Sequence, residues 1–223
     1  EEPYKLKDMK RSLFSLLLII TALCASAQSY WGVRAGWDGY FPGNWNMGGE
    51  KVKMFQRGSG FAAGVIYNHP IVGGLYIEPG VGITYNSYRW DITFSEDLNA
   101  DKIIEDPKVR KFGFRVPVRL GYYFDIFPSG GGVSIFTGPQ FNLGVSAKLN
   151  LDDDECEVMN IDKNLYNDFW GYRRCGLSWT AGANMYIGSW VVDLCGSFGL
   201  TDMHKGMISF REYRLTIGLG YNF

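Results

Sequence analysis

The chain has 223 residues and a formal net charge of −1, with 29 glycines and an aromatic content of 16%. So balanced a charge offers no electrostatic footprint for nucleic acid. Its two histidines and four cysteines show no metal-type spacing, and neither a phosphate-binding glycine loop nor a hydrolase elbow is present, so no cofactor is expected.

Residues 1–8 precede Met9 and read as an upstream extension without structural meaning. Met9-Lys10-Arg11 opens a basic segment, Ser12 to Ala22 is apolar, and Ala25-Ser26-Ala27 is a small-residue cleavage motif. Residues 9–27 therefore read as a secretory signal peptide. The apolar stretch is too short for a membrane helix, and Leu23 before Cys24 argues against lipoprotein processing. Cleavage would start the mature chain at Gln28 and leave about 196 residues, 28–223, enough for one large β domain. No second apolar run reaches membrane-helix length, so any membrane span must be β.

From Gln28 on, period-two segments alternate with loops. The first strand is expected at about Tyr30–Asp38, with Trp31, Val33, Ala35 and Trp37 on one face and Gly32, Arg34, Gly36 and Asp38 on the other. The second is expected at about Gly60–Asn68, followed by a short turn from His69 to Gly74. The third, about Leu75–Asn86, sets Leu75, Ile77, Val81, Ile83 and Tyr85 against Tyr76, Glu78, Gly80, Gly82 and Thr84. Pro79 within it suggests a bulge or local kink. A charged loop, Ser87 to Lys111, leads to a fourth strand at about Phe112–Phe124, whose second face carries Arg115, Pro117 and Arg119. The fifth is expected at about Val133–Ser146, then the longest loop, Ala147 to Cys175. A sixth (about Leu177–Ile187) and a seventh (about Trp190–Leu200) flank the tight turn Gly188-Ser189. The last alternates Tyr213, Leu215, Ile217, Leu219, Tyr221 and Phe223 against Arg214, Thr216, Gly218, Gly220 and Asn222.

Each segment is long enough for a tilted strand to cross a bilayer. Loops after strands one, three, five and seven are long and the others short, the asymmetry of outer-membrane barrels. The expected fold is all-β: a transmembrane, antiparallel, up-and-down barrel of about eight strands with both termini in the periplasm. A soluble barrel of lipocalin type is the rival. The bulky residues of the apolar face exceed what a small interior can hold, so that face belongs outside, in lipid. Tyr221 and Phe223 then form a C-terminal assembly signal for the barrel-assembly machinery of a Gram-negative envelope.

The inward face carries Arg34, Glu78, Arg115, Arg119, Asp193 and Arg214. A regular third-to-fourth hairpin sets Glu78 opposite Arg119 and Gly82 opposite Arg115. Such a charge network either gates conduction or plugs the lumen, and an eight-stranded interior is about filled by side chains. Asp152-Asp153-Asp154-Glu155, with Glu157 nearby, lacks the spacing and glycine of a calcium loop and reads as a solvated acidic run. Cys156 and Cys175 flank the same loop and invite a disulfide in an oxidising envelope, whereas Cys195 reads as a small buried filler. His69 falls in a turn. His204, near Asp202 and Ser209, keeps a lipid-A-modifying enzyme in view but reads first as a surface residue.

Four stretches carry a family resemblance: Tyr76-Ile77-Glu78-Pro79-Gly80-Val81-Gly82, Phe114 through Phe124 with Pro117 and its Tyr122-Tyr123-Phe124 exit, Gly138-Pro139-Gln140-Phe141, and Ser197-Phe198-Gly199-Leu200-Thr201-Asp202. In order and spacing the chain resembles the PorT-type outer-membrane β-barrel family. The resemblance implies an eight-stranded barrel in the outer membrane, and its named member serves a protein-secretion machine. The reading that results is a non-enzymatic, porin-like barrel with a plugged polar lumen. Its long external loops, with Trp45, Phe55, Phe169, Trp170 and Tyr172, would meet a protein partner, a glycan or lipopolysaccharide. A narrow channel for small or apolar solutes is the alternative, and the lipid-A enzyme the third reading.

Overall fold

The structure is a computed structural model that describes residues 29–47, 49–53, 55–90, 93–95, 103–105, 107–127, 131–150, 163–167, 170–205 and 208–223. The extension, the signal segment with its cleavage motif, and the acidic run 152–155 lie outside the described residues, as do Cys156, Glu157 and Phe169.

Eight strands form the wall: β1 (Tyr30–Pro42), β2 (Gly58–Val72), β3 (Leu75–Arg89), β4 (Lys108–Phe127), β5 (Gly131–Leu149), β6 (Cys175–Ile187), β7 (Trp190–Gly199) and β8 (Glu212–Asn222). Each pairs antiparallel with its neighbours in sequence, and β1 closes on β8 from Gly32↔Asn222 to Pro42↔Glu212. Closure leaves no edge to satisfy, the condition for a sheet in hydrocarbon. Gly73 and Gly74 take φ of 56° and 91°, and Gly188 takes 59°. These are the left-handed conformations that two-residue hairpin turns require and that glycine adopts without a steric penalty.

The alternation runs apolar outside and polar inside. Trp31 is 58% exposed and Leu219 61%, while Asp38 and Glu78 are 0% exposed. A water-soluble barrel would reverse this, so the lipocalin-type alternative is set aside. The interior volume is matched in pairs. A side chain at Gly121 would meet the Tyr76 ring, one at Gly182 the Phe136 ring, and one at Gly220 the Arg34 side chain. Large inward residues thus lie over glycines on neighbouring strands, which lets a narrow lumen hold arginines and tyrosines.

Several strands outrun their expected bounds. Lys108–Phe127 is 20 residues long, so the charged stretch Ser87 to Lys111 is strand at both ends rather than one loop. β2 continues to Val72, which places His69 in a strand and not a turn, with Ser29 Oγ 2.8 Å from its Nδ1. No bulge forms at Pro79: the β3–β4 register stays constant from Leu75↔Tyr122 to Arg89↔Lys108, with the pairing interrupted at Gly80 and Val81 just beyond the proline. The register shifts instead between Pro70 and Val72, between Phe112 and Gly113, and between Asp125 and Phe127. At the long-loop end two short strands, Trp45–Met47 and Glu50–Val52, pair with each other, and the first also pairs with Ile208–Ser209.

Candidate functional site

The β3–β4 register brings Glu78 opposite Arg119 and Gly82 opposite Arg115. Arg119 Nη1 donates to Glu78 Oε1 at 3.2 Å and to Asp193 Oδ2, across the lumen on β7, at 3.0 Å. Its guanidinium carbon lies 4.3 Å from the centroid of the Phe136 ring. Asn68 Nδ2 donates to the second Glu78 oxygen at 3.4 Å. All three charged groups are buried, so each depends on the others in place of water.

A second cluster lies nearer the long loops. Asp38 accepts from Thr216 Oγ1 at 2.7 Å, Asn86 Nδ2 at 3.0 Å and Arg214 Nη1 at 3.3 Å. Glu212 accepts from Tyr40 OH at 2.6 Å, from Arg214 Nη2 at 3.5 Å and, in a close ion pair, from Lys111. Arg214 and Lys111 also sit over the Tyr40 ring, 5.4 and 5.6 Å from its centroid. Arg115 joins through Thr216, donating to its hydroxyl at 3.3 Å.

Five of the six lumen charges expected from sequence therefore fall into two clusters. Arg34 faces the lumen but stands apart: among the described residues its Nη1 reaches only the Val33 carbonyl, at 3.0 Å, and its Nε and Nη2 meet no hydrogen-bond partner. Asp38, Tyr40, Lys111 and Glu212 were missed. Asp38 had been placed on the inner face without being counted among its charges. Lys111 and Glu212 follow from extending the alternation of β4 and β8 by one residue beyond the apolar band.

The outer cluster is roofed by aromatic side chains. Tyr40, Trp45, Phe55, Tyr88, Trp90, Tyr166, Tyr172 and Phe210 pack with Val109, Leu149, Leu165 and Met203 into one buried cluster, with Trp170 against it. The Phe55 ring meets Trp45, Tyr88, Trp90 and Phe210 at centroid distances of 5.4–5.6 Å. This corrects the expectation that Trp45, Phe55 and Tyr172 reach out to a partner: they face one another and close the mouth. His204 belongs to the same cap. Its bridge to Tyr172 sets its ring against Trp45 and Tyr172, and the Trp170 and Lys205 backbones hydrogen-bond to it. Burial first, and then the Arg173 charge, hold its pKa below the usual histidine value.

At the short-turn end a cavity of about 460 Å3 opens between Tyr30, Asn68, Tyr76, Tyr123, Tyr186 and Asn222. Ser134 Oγ lies 2.9 Å from Tyr76 OH and 3.4 Å from Tyr186 OH at its inner side. Asn68 on its lining also donates to Glu78. Cys195 is buried on the inner face of β7, and Cys175 stands exposed at the start of β6. The last strand ends at Asn222, and Phe223 still donates its N–H to the Trp31 carbonyl at 2.8 Å. Its ring, 74% exposed, lies 5.3 Å from that of Tyr221. Among the described residues no group of histidine, cysteine, aspartate and glutamate is placed to hold a metal.

A closed eight-stranded wall, apolar outside and ionic within, defines a β-barrel membrane protein. The family model for the outer membrane protein beta-barrel domain matches residues 26–205, and the chain belongs to that family, whose place is the bacterial outer membrane. Comparison of the sequence with curated proteins gave no match. Among solved structures the chain is similar to Ail, the attachment invasion locus protein of Yersinia pestis, at 12% identity and a TM-score of 0.47, covering 88% of this chain and 100% of that one. It is also similar to OprG of Pseudomonas aeruginosa (11%, TM-score 0.46, 87% and 96% covered) and to Neisserial surface protein A (13%, TM-score 0.46, 88% and 100% covered).

Proposed function

We propose that this barrel is a non-conducting, non-enzymatic outer-membrane protein whose lumen is a structural plug and whose long-loop end faces outward. The observation that carries this reading is the pairing of Arg119 with Glu78 and Asp193, and of Lys111 and Arg214 with Glu212 and Asp38, beneath a closed aromatic cap. Arg119, Glu78 and Asp193 block the middle with ion pairs of 3.0–3.2 Å, and a fixed, desolvated pair gives an ion no route through. The length asymmetry of the loops supports the orientation, with both termini in the periplasm. The contact surface is then the rim and outer backbone of the loops, where a protein, a glycan or lipopolysaccharide would bind. An accessory role in protein secretion rests on the PorT-type resemblance.

Planar-bilayer recording tests the plug. The purified barrel should give no discrete conductance steps, and steps in the wild type would overturn it. The short-turn cavity favours a second reading, a narrow path for small apolar solutes that opens when the cap lifts. Solute uptake by liposomes carrying the barrel, increased by Trp45→Ala, would establish that path instead.

A further inference from the structure

The outer wall below the long loops carries an arrangement that the plug does not need. Arg89 on β3 lies directly opposite Lys108 on β4, and Arg110, two residues along β4, lies directly opposite Lys148 on β5. All four side chains point outward and are exposed. Directly opposed cross-strand residues stand about 4.5–5.5 Å apart, and like charges at such positions destabilise a sheet. Two such pairs side by side are a cost to the fold unless an anion sits over them.

Two backbone bonds shape the same places, and the first brings a further cation. Gln56 N–H donates to the Arg89 carbonyl at 3.0 Å and so sets Arg57 beside it, and Leu149 N–H donates to the Lys163 carbonyl at 2.9 Å. The results are two grooves of about 390 and 380 Å3. The cations of the first are Arg57, Arg89 and Lys108, those of the second Arg110 and Lys148, and among the described residues no carboxylate lines either. Tyr85 and Phe112 form the lower side of the second groove, where the apolar wall begins. A ligand seated here meets cations at its head and hydrocarbon-facing aromatics below.

We infer that the two grooves are headgroup seats for a phosphorylated glycolipid of the outer leaflet, with phosphates on the arginines and lysines and acyl chains along the wall. Guanidinium groups match phosphate oxygens in pairs, and lysines add point charge. The inference rests on the outward orientation of the long loops. Membrane-impermeant thiol labelling of Lys148→Cys in intact cells, in a Cys156→Ser/Cys175→Ser background, tests that orientation by itself.

The binding test uses the folded barrel in neutral detergent, with lipopolysaccharide, phosphatidylglycerol and inorganic phosphate as separate probes, read by thermal unfolding and by titration. Lipopolysaccharide should raise the Tm, and added salt should shrink that rise. Each cation near an anionic surface contributes about fivefold in affinity, so Arg110→Gln/Lys148→Gln should bind about 25-fold more weakly, with Arg173→Gln unchanged. Without lipid the same double variant should melt at a higher temperature than wild type, because the repulsion is gone. A variant that melts lower without lipid would mean that a carboxylate already neutralises the arc, and would overturn the inference. So would equal stabilisation by inorganic phosphate, equal stabilisation by phosphatidylglycerol, or undiminished lipopolysaccharide binding in the variant.

Discussion

Arg119→Ala takes away a cation that two buried carboxylates share. Glu78 and Asp193 reach it at 3.2 and 3.0 Å, and Glu78 is fully buried. Removing one partner of a buried pair costs roughly 3–5 kcal/mol, because the other charge is left uncompensated. Arg119→Ala leaves two such charges and should fall at or above the upper end, about 5 kcal/mol. Glu78→Ala leaves Arg119 with Asp193 and should lie at or below the lower end, about 1.5–3 kcal/mol, the range for losing a hydrogen bond to a charged group. Glu78→Ala/Arg119→Ala should cost less than the two single losses added, since one orphan disappears. The assay is urea unfolding in liposomes, followed by the gel shift between folded and heat-unfolded barrel. The order of the two single variants is the sharp point. Equal losses would show that Asp193 does not share Arg119, and additive losses would show that Glu78 and Arg119 do not touch.

Deleting Phe223 should lower the yield of folded barrel in the outer membrane without blocking export across the inner membrane; normal yield in fractionated cells would refute the assembly role of Tyr221 and Phe223. N-terminal sequencing of protein from outer membranes should begin at Gln28, and an intact Ser12 to Ala22 segment would count against cleavage. The cap should loosen in acid. The His204 pKa is lowered by burial, so the unfolded loop takes up a proton first, near its ordinary value of about 6.5. The contribution is complete above that pH and declines as pH falls below it. Limited proteolysis of the loops should quicken below about pH 6 in the wild type and not in His204→Gln, and identical pH profiles would remove His204 from the cap's stability. Tyr40→Phe takes one hydrogen bond from Glu212 and should cost about 1.5–3 kcal/mol in the urea assay, whereas no change would show that Lys111 and Arg214 suffice.

The parts of the barrel inside the bilayer were legible because lipid imposes a strict rule there: every second residue must be apolar. That rule placed all eight strands and set Glu78 opposite Arg119 from index alone. It fails where the wall leaves the hydrocarbon. Lys108 and Arg110 face outward in water, so their stretch looked like loop, and the inward Lys111 and Glu212 beside the same rim were lost with it. At Pro79 the bulge does not form for a local reason: the ladder is interrupted beside a residue without an N–H, but no extra residue is inserted and the register holds. The cap was illegible in principle. Trp45, Phe55, Trp90, Tyr172 and Phe210 come from four separate loops with no common period, and an aromatic residue in a loop reads alike whether it meets a partner or its own chain.

The aromatic cap places a second interior on top of the first, and the two answer to different physics. Within the lipid, the molecule is held by charge inside and hydrocarbon outside. Above it, Phe55, Trp90 and their neighbours make the kind of core that a small water-soluble domain has. Burial of that kind weakens on cooling, since apolar hydration carries a large heat-capacity change. Ion pairs in a dry lumen lack that dependence. Chilling should therefore free the loops while the wall stays shut, and raised ionic strength should leave the cap untouched. The temperature at which such a bacterium grows would then set how firmly the lid of this barrel is closed.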